Sequence, residues 1–175
     1  MEASRAYGLS SISFRYFNAA GAAPERMLGE DHQPETHLIP NVLKSCLSKR
    51  NPVIEVFGTD YDTRDGSCVR DYVHVKDLAE AHTLGMAHLL KNGGRHQVNL
   101  GTRDGASVLE VIRICERVTG VSLSLDIALR REGDPPSLIA NNALARNLLG
   151  WAPTRSLEDC IRDAWLWHKS DFRAE

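Results

Sequence analysis

The chain has 175 residues, 42% of them hydrophobic, enough for one generous domain that buries about 70% of the surface of its unfolded form. Its 21 basic and 23 acidic residues leave a formal net charge of -2, and no block of like charge resembles a nucleic-acid arm. No apolar run approaches transmembrane length and Met1-Glu2-Ala3-Ser4-Arg5 lacks an apolar signal stretch, so neither nucleic acid nor a membrane is expected as a partner.

In chain order, Ser11 to Asn18 alternates Ile12, Phe14 and Tyr16 with polar residues and predicts a strand ending in the loop Ala19-Ala20-Gly21. Residues 24–37 are polar and punctuated by Pro and Gly, a long surface loop. Pro40 to Arg50 predicts a helix with Val42, Leu43, Cys46 and Leu47 on one face. A short strand over 53–57 stops at Gly58, and a turn-rich loop runs to Gly66. Val69 to Val75 predicts a strand that leads into a helix capped by Asp77, with Glu80 placed to close a capping box. A strand over 97–100 ends at Gly101. Ser107 and Glu110 then open a helix whose stripe of Val108, Val111, Ile112, Cys115 and Val118 stops at Gly120. A strand over 123–128, a helix over 143–149 stopped by Gly150 and an amphipathic helix over 156–168 complete the chain. Strands alternating with helices give an α/β protein. A first strand at residue 11 suits a middle strand of a larger sheet.

Cys46, Cys68, Cys115 and Cys160 form no CxxC pair, and three lie on apolar helix faces, which predicts a reduced, cytoplasmic protein. The seven histidines form no HExxH or HxxxH pair, so no metal is expected. No glycine-rich dinucleotide loop occurs, and after Tyr7 the position where a catalytic lysine would stand is Ser11. Four clusters remain, each with two readings. Asn18, at the end of a strand, is a ligand contact or a turn residue. Arg70-Asp71-Tyr72 holds an anion or forms a structural ion pair. Arg130-Arg131-Glu132-Gly133-Asp134 is a diphosphate clamp or a solvated loop. Phe57 stacks on a base or belongs to the core.

Taken in order, FRYFNAAGA (14–22), ETHLIP (35–40), VFGTDYDTRDGSCVRDYVHVKDLAEAH (56–82), NLGT (99–102), RREGDPP (130–136) and LLGW (148–151) resemble the UDP-glucose (UDP-galactose) 4-epimerases of the extended short-chain dehydrogenase superfamily. The resemblance covers nearly the whole chain. It implies a C-terminal substrate-binding subdomain over 23–175, plus a late strand of a Rossmann-type parallel sheet over 1–22. It implies that the catalytic Tyr and Lys fall before Met1, with Met1-Glu2 resembling the end of the helix that bears them, so the chain is expected to be a fragment.

By that resemblance, Tyr16 and Phe17 border the nicotinamide of NAD and Asn18 bonds the diphosphate or sugar. His37, Leu38 and Ile39 line the uridine region, while the backbone of Glu55 and Phe57 holds the uracil. Arg70 and Arg131 grip the diphosphate, Asp134 takes the ribose hydroxyls, and Leu138 faces the sugar's C2 substituent, where the family often has tyrosine or a small residue. The later Ala-Asp…Lys-Ala pattern also departs, reading Ala140-Asn141-Asn142-Ala143 without a lysine. The implied partners are UDP-glucose and UDP-galactose, interconverted by transient oxidation at C4. A homodimer is implied for the full-length enzyme only. The fragment is expected to bind no NAD by itself and to be inactive. A related sugar-nucleotide dehydratase or decarboxylase and a non-catalytic UDP-sugar-binding module are the alternatives.

Overall fold

A computed structural model describes residues 6–47 and 51–170, so the expected helix end at 48–50 and the reading of Met1-Glu2 lie outside the described residues. The alternating stretch Ser11–Tyr16 forms β1, which runs parallel to β5, Arg95–Leu100, from Ser11 opposite Arg95 to Tyr16 opposite Leu100. The single strand expected over 11–18 is two. At Phe17 the chain leaves β5, and β2 (Asn18–Ala20) pairs in parallel with β4 (Val69–His74), Asn18 opposite Tyr72. Gly21 then turns the chain at φ 90°, where a Cβ would stand 2.8 Å from His74 Nε2. Both the close approach and the positive φ require glycine.

A second parallel pair joins β3 (Val53–Phe57) to β7 (Ser124–Ala128). Beside β4 lie β6 (Gly105–Ser107, antiparallel) and β8 (Ser137–Leu138, parallel). These two strands escape the sequence pattern because three and two residues are too few to show a period of two. The helices are α1 (Leu38–Leu47), α2 (Val75–Asn92), α3 (Val108–Thr119), α4 (Ala143–Leu149) and α5 (Leu157–Lys169). None is long and apolar enough to cross a membrane among the described residues.

Helix α1 starts two residues before Pro40, which its first turn tolerates because the N–H there has no partner in the helix. The cap of α2 differs from expectation. His74, the last residue of β4, accepts the Lys76 N–H at Nδ1 (3.1 Å), because the strand passes into the helix without an intervening loop. Asp77 is instead fully buried and accepts from Thr154 N–H (3.2 Å), Thr154 Oγ1 (3.1 Å) and Arg155 N–H (3.1 Å), besides pairing with the Arg155 guanidinium. It ties α2 to the chain before α5. The capping boxes Ser107–Glu110 and Ser156–Asp159 both form, and Gly120 and Gly150 end their helices in the left-handed conformation.

The Ser156 hydroxyl and N–H, with Arg162, hold the Asp159 carboxyl at about 2, below its ordinary 3.8. A depressed carboxylate contributes stability above its unfolded value and loses it as pH falls through the folded one. Protection from amide exchange in the first turn of α5, relative to the intrinsic rate at each pH, should therefore fall between about pH 4 and pH 2, and Asp159→Asn should flatten that dependence.

One core packs α1, α3 and α5 together over β3, through Val42, Leu43, Val56, Val111, Cys115 and Ile161. A second joins α2, β5 and α4 around Trp151, whose Nε1 donates to Asp77 O (2.8 Å). Cys68, Cys115 and Cys160 are buried and Cys46 partly so, all of them free thiols. Burial pushes Cys115 and Cys160 up to about 12, which leaves them inert.

One face is not covered. Beyond β1, Leu9, Ile12, Phe14, Met86 and Leu90 line an open apolar groove, with Leu90 82% and Met86 60% exposed. Among the described residues β1 pairs on one edge only. An unpaired strand edge beside an apolar groove promotes association. Light scattering at micromolar concentration should show oligomers of mixed size, and Met86→Glu with Leu90→Glu should shift them toward monomer. A monodisperse monomer of the unmodified chain would contradict this.

Candidate functional site

A large cavity, about 1070 Å³, opens where β1 and β3 end and is closed by residues 19–23 and 28–41, the Arg131–Asp134 loop and Trp167 of α5. In open α/β sheets, ligands occupy the region beyond the carboxyl ends of the strands. Ten of the expected site residues meet there: Phe17, Asn18, His37, Leu38, Ile39, Glu55, Phe57, Arg70, Arg131 and Asp134. Residues from 17 to 134 in sequence thus share one wall.

Two do not. Tyr16 points away from the cavity, because neighbouring strand residues face opposite sides, and its hydroxyl lies 2.7 Å from His82 Nε2 in the apolar groove. Leu138, on β8 opposite Arg70, is 47% exposed and does not line the cavity.

The open pairs of readings now divide. Asn18 Nδ2 donates to Asp71 O (3.0 Å), which fixes the amide at the cavity wall. Arg70 does not pair with Asp71. Its guanidinium is held by Asp134 and donates to Val69 O (2.8 Å) and to Pro135 O (2.9 Å), and the residue lines the cavity. Asp71 is fully buried and serves the fold: Oδ1 accepts from Thr102 N–H (2.8 Å) and Thr102 Oγ1 (2.6 Å), and Oδ2 from Arg103 N–H (3.1 Å) and Ala140 N–H (3.0 Å). The two arginines of the charged run part company. Arg130 is bound to Asp60 (2.7 Å) and lies over Tyr61. Arg131 lies over the Phe57 ring at 3.8 Å and has no carboxylate partner among the described residues. That leaves one guanidinium in the cavity available to an anion, with Phe57 serving as its platform.

Electrostatics in the remaining wall follow burial. Desolvation pushes the Tyr72 hydroxyl up, which keeps it neutral. Burial alone would raise the Glu35 carboxyl as well, but bonds from His37 N–H, the His37 ring, Thr36 N–H and Lys44 bring it down to about 2. The sequence reading overlooked Trp167, which closes the cavity from the far end of the chain, and the acidic and imidazole side chains between 30 and 35. Trp167 carries no local signal, since an aromatic on an amphipathic helix reads as core. The repeated Glu/His spacing Glu30-x-His32-x-x-Glu35-x-His37 is a local signal in loop sequence, of a different period from a helical His pair.

Residues 1–101 match the NAD dependent epimerase/dehydratase family. The chain belongs to that family. Among curated relatives of this family member, the UDP-glucose 4-epimerase of Halalkalibacterium halodurans is 54% identical over 165 residues, covering 94% of the chain and 49% of the relative. That of Lactobacillus helveticus is 47% identical over 169 residues, 96% of the chain and 51% of the relative. The chain thus spans about half the length of the curated relatives it matches.

Among solved structures, a UDP-glucose 4-epimerase from Stenotrophomonas maltophila with bound NAD and formylated UDP-arabinopyranose superposes with a TM-score of 0.90 at 38% identity, covering 96% of the chain and 50% of that structure. One from Brucella ovis in complex with NAD gives 0.87 at 47% identity, covering 94% of the chain and 50% of that structure. The family member is therefore an α/β protein with Rossmann-like parallel strand pairs.

Proposed function

We propose that the chain is the sugar-nucleotide-binding half of a UDP-glucose 4-epimerase that interconverts UDP-glucose and UDP-galactose. Coverage of half of each relative sets the size of the piece, and its content indicates which half. The observation that carries the reading is Arg131 stacked on Phe57 without a carboxylate partner, in the same cavity as Arg70, Asn18 and Asp134. Guanidinium groups suit a diphosphate through charge-assisted bonds, and a carboxylate acceptor suits a vicinal diol.

The residues present do not form a cradle for NAD. The residues before α1 to α5 include no glycine-rich run, and the caps are His74, Ser107, Asn142 and Ser156 for the last four helices. Phe17 supplies at most one wall. The dinucleotide belongs to the other half, and the work of this chain is to hold the nucleotide end of the substrate. Four free cysteines fit a reducing, cytoplasmic setting, and a homodimer is proposed for the whole enzyme alone.

Calorimetry with UDP tests the reading. Arg131→Ala removes the unpaired cation and should weaken binding by about ten- to a hundredfold, the equivalent of roughly 1.5–3 kcal/mol. Arg70→Ala should act in the same direction and also release Asp134. Unchanged UDP affinity in both variants would leave the 130–134 run as a solvated loop and defeat the proposal.

A further inference from the structure

The loop that leads into α1 brings Glu30, His32, Glu35 and His37 together, one ligand atom from each, all within 4.8 Å of one another. His32 Nδ1 is 2.7 Å and His37 Nδ1 2.8 Å from the same oxygen, Glu30 Oε1, and His37 Nδ1 is also 2.9 Å from Glu35 Oε1. The group is built on a fixed frame. Trp167 Nε1 donates to Glu30 O (3.0 Å), and Gly29 lies so close beneath the indole that a Cβ would stand 2.2 Å from Trp167 Cδ2. Glu35 Oε1 accepts the N–H groups of Thr36 and His37 (2.9 Å each), while Lys44 Nζ approaches the other oxygen at 3.4 Å. The His32 and His37 side chains are 61% and 56% exposed, which leaves the group open to solvent.

We propose that Glu30, His32, Glu35 and His37 form a binding site for one divalent transition-metal ion of the Zn²⁺ class, at the rim of the large cavity. Two imidazole nitrogens with two carboxylate oxygens suit Zn²⁺ and its first-row neighbours; Mg²⁺ and Ca²⁺ prefer oxygen alone. Ligand atoms around a tetrahedral ion at about 2.0–2.1 Å stand roughly 3.3 Å apart. The separations of 2.7 Å to 4.8 Å bracket that value, so the side chains need only small rotations. The His88–His96 ring pair, 5.0 Å apart at the end of α2, offers no carboxylate within its contacts and serves as the comparison site. The proposal does not rest on the sugar-nucleotide reading.

The test is a spectrophotometric titration of the 175-residue chain with Co²⁺, followed by displacement with Zn²⁺. One ion should bind at micromolar concentration, with the visible absorption of a tetrahedral nitrogen- and oxygen-bound Co²⁺ and no thiolate band. Glu30→Gln and His32→Gln should each weaken Zn²⁺ binding by more than the roughly 10–100-fold typical of outer-shell changes, and His88→Gln should leave it unchanged. His32 is exposed, so its variant should keep the far-ultraviolet spectrum and melting temperature of the parent chain. Absence of saturable binding would mean that the four side chains are held only as carboxylate–imidazole pairs. That outcome, persistence of binding in both variants, loss on His88→Gln, or a thiolate band would each overturn the proposal.

Discussion

Asp71→Asn should destabilise the chain by about 3–5 kcal/mol, the range for stripping a buried charge from its partners. The carboxylate is fully buried, and its two oxygens accept from three backbone N–H groups and the Thr102 hydroxyl. An amide keeps one acceptor oxygen and places an NH2 donor against N–H groups that already donate. Some of these are then buried without a partner, at roughly 1–3 kcal/mol each. The site cannot relax by swelling, since a Cβ on Gly101 would already stand 2.6 Å from Asp71 Oδ2. Domains of this kind are stable by only about 5–15 kcal/mol, so the change removes a large share. At a urea slope of roughly 2 kcal/mol/M the unfolding midpoint should fall by about 2 M. Asp126→Asn, on an exposed position of β7, is the control and should shift stability by less than about 0.5 kcal/mol. Equal midpoints for the two variants would show that Asp71 is dispensable.

That carboxylate also marks where a sequence stops being legible. Arg70-Asp71-Tyr72 sits in a specific block of residues, yet nothing local says that Arg70 turns to Asp134 while Asp71 turns to Thr102, Arg103 and Ala140. Both choices depend on β8 and the 101–103 loop arriving beside β4, contacts more than 30 residues away. Asp77 repeats the lesson, since its spacing to Glu80 satisfied a capping rule while its true partners, Thr154 and Arg155, lie beyond Trp151. Local rules succeeded where the partners are local. The capping box at Ser107, the glycine stops at 120 and 150 and the apolar stripe of α3 all formed as expected. Ten cavity residues were legible through the order of their motifs. Tyr16 lies outside the cavity because a motif names neighbours without saying which way alternate strand residues face.

The purified chain should produce no UDP-glucose from UDP-galactose, with or without added NAD, while still binding UDP. Epimerisation at C4 needs a hydride acceptor and a base within hydrogen-bond reach of the sugar hydroxyl. The wall of the large cavity offers arginines, an amide, carboxylates and imidazoles for binding. Its one tyrosine, Tyr72, has a hydroxyl pushed up by burial, and the lysine four residues on, Lys76, is bound to Glu25 and Asp163 (3.0 Å each). The tyrosine best furnished with a proton acceptor is Tyr16, 2.7 Å from His82 Nε2. That pair lies in the apolar groove with Leu9, Phe14 and Met86, on the side of β1 that faces away from Asn18 and Arg131. Tyr7 is 85% exposed and has Ser11 where a pKa-lowering lysine would stand. Binding and turnover are therefore expected to separate in this chain, and a coupled assay beside UDP calorimetry measures both on one sample. Turnover above the trace carried by a host-cell blank, abolished by Tyr16→Phe or Tyr72→Phe, would show that the chain holds its own catalytic base. Binding without turnover is the expected result: the cavity wall carries Asn18, Arg70 and Arg131, and the lysine four residues after its one tyrosine is bound to two carboxylates.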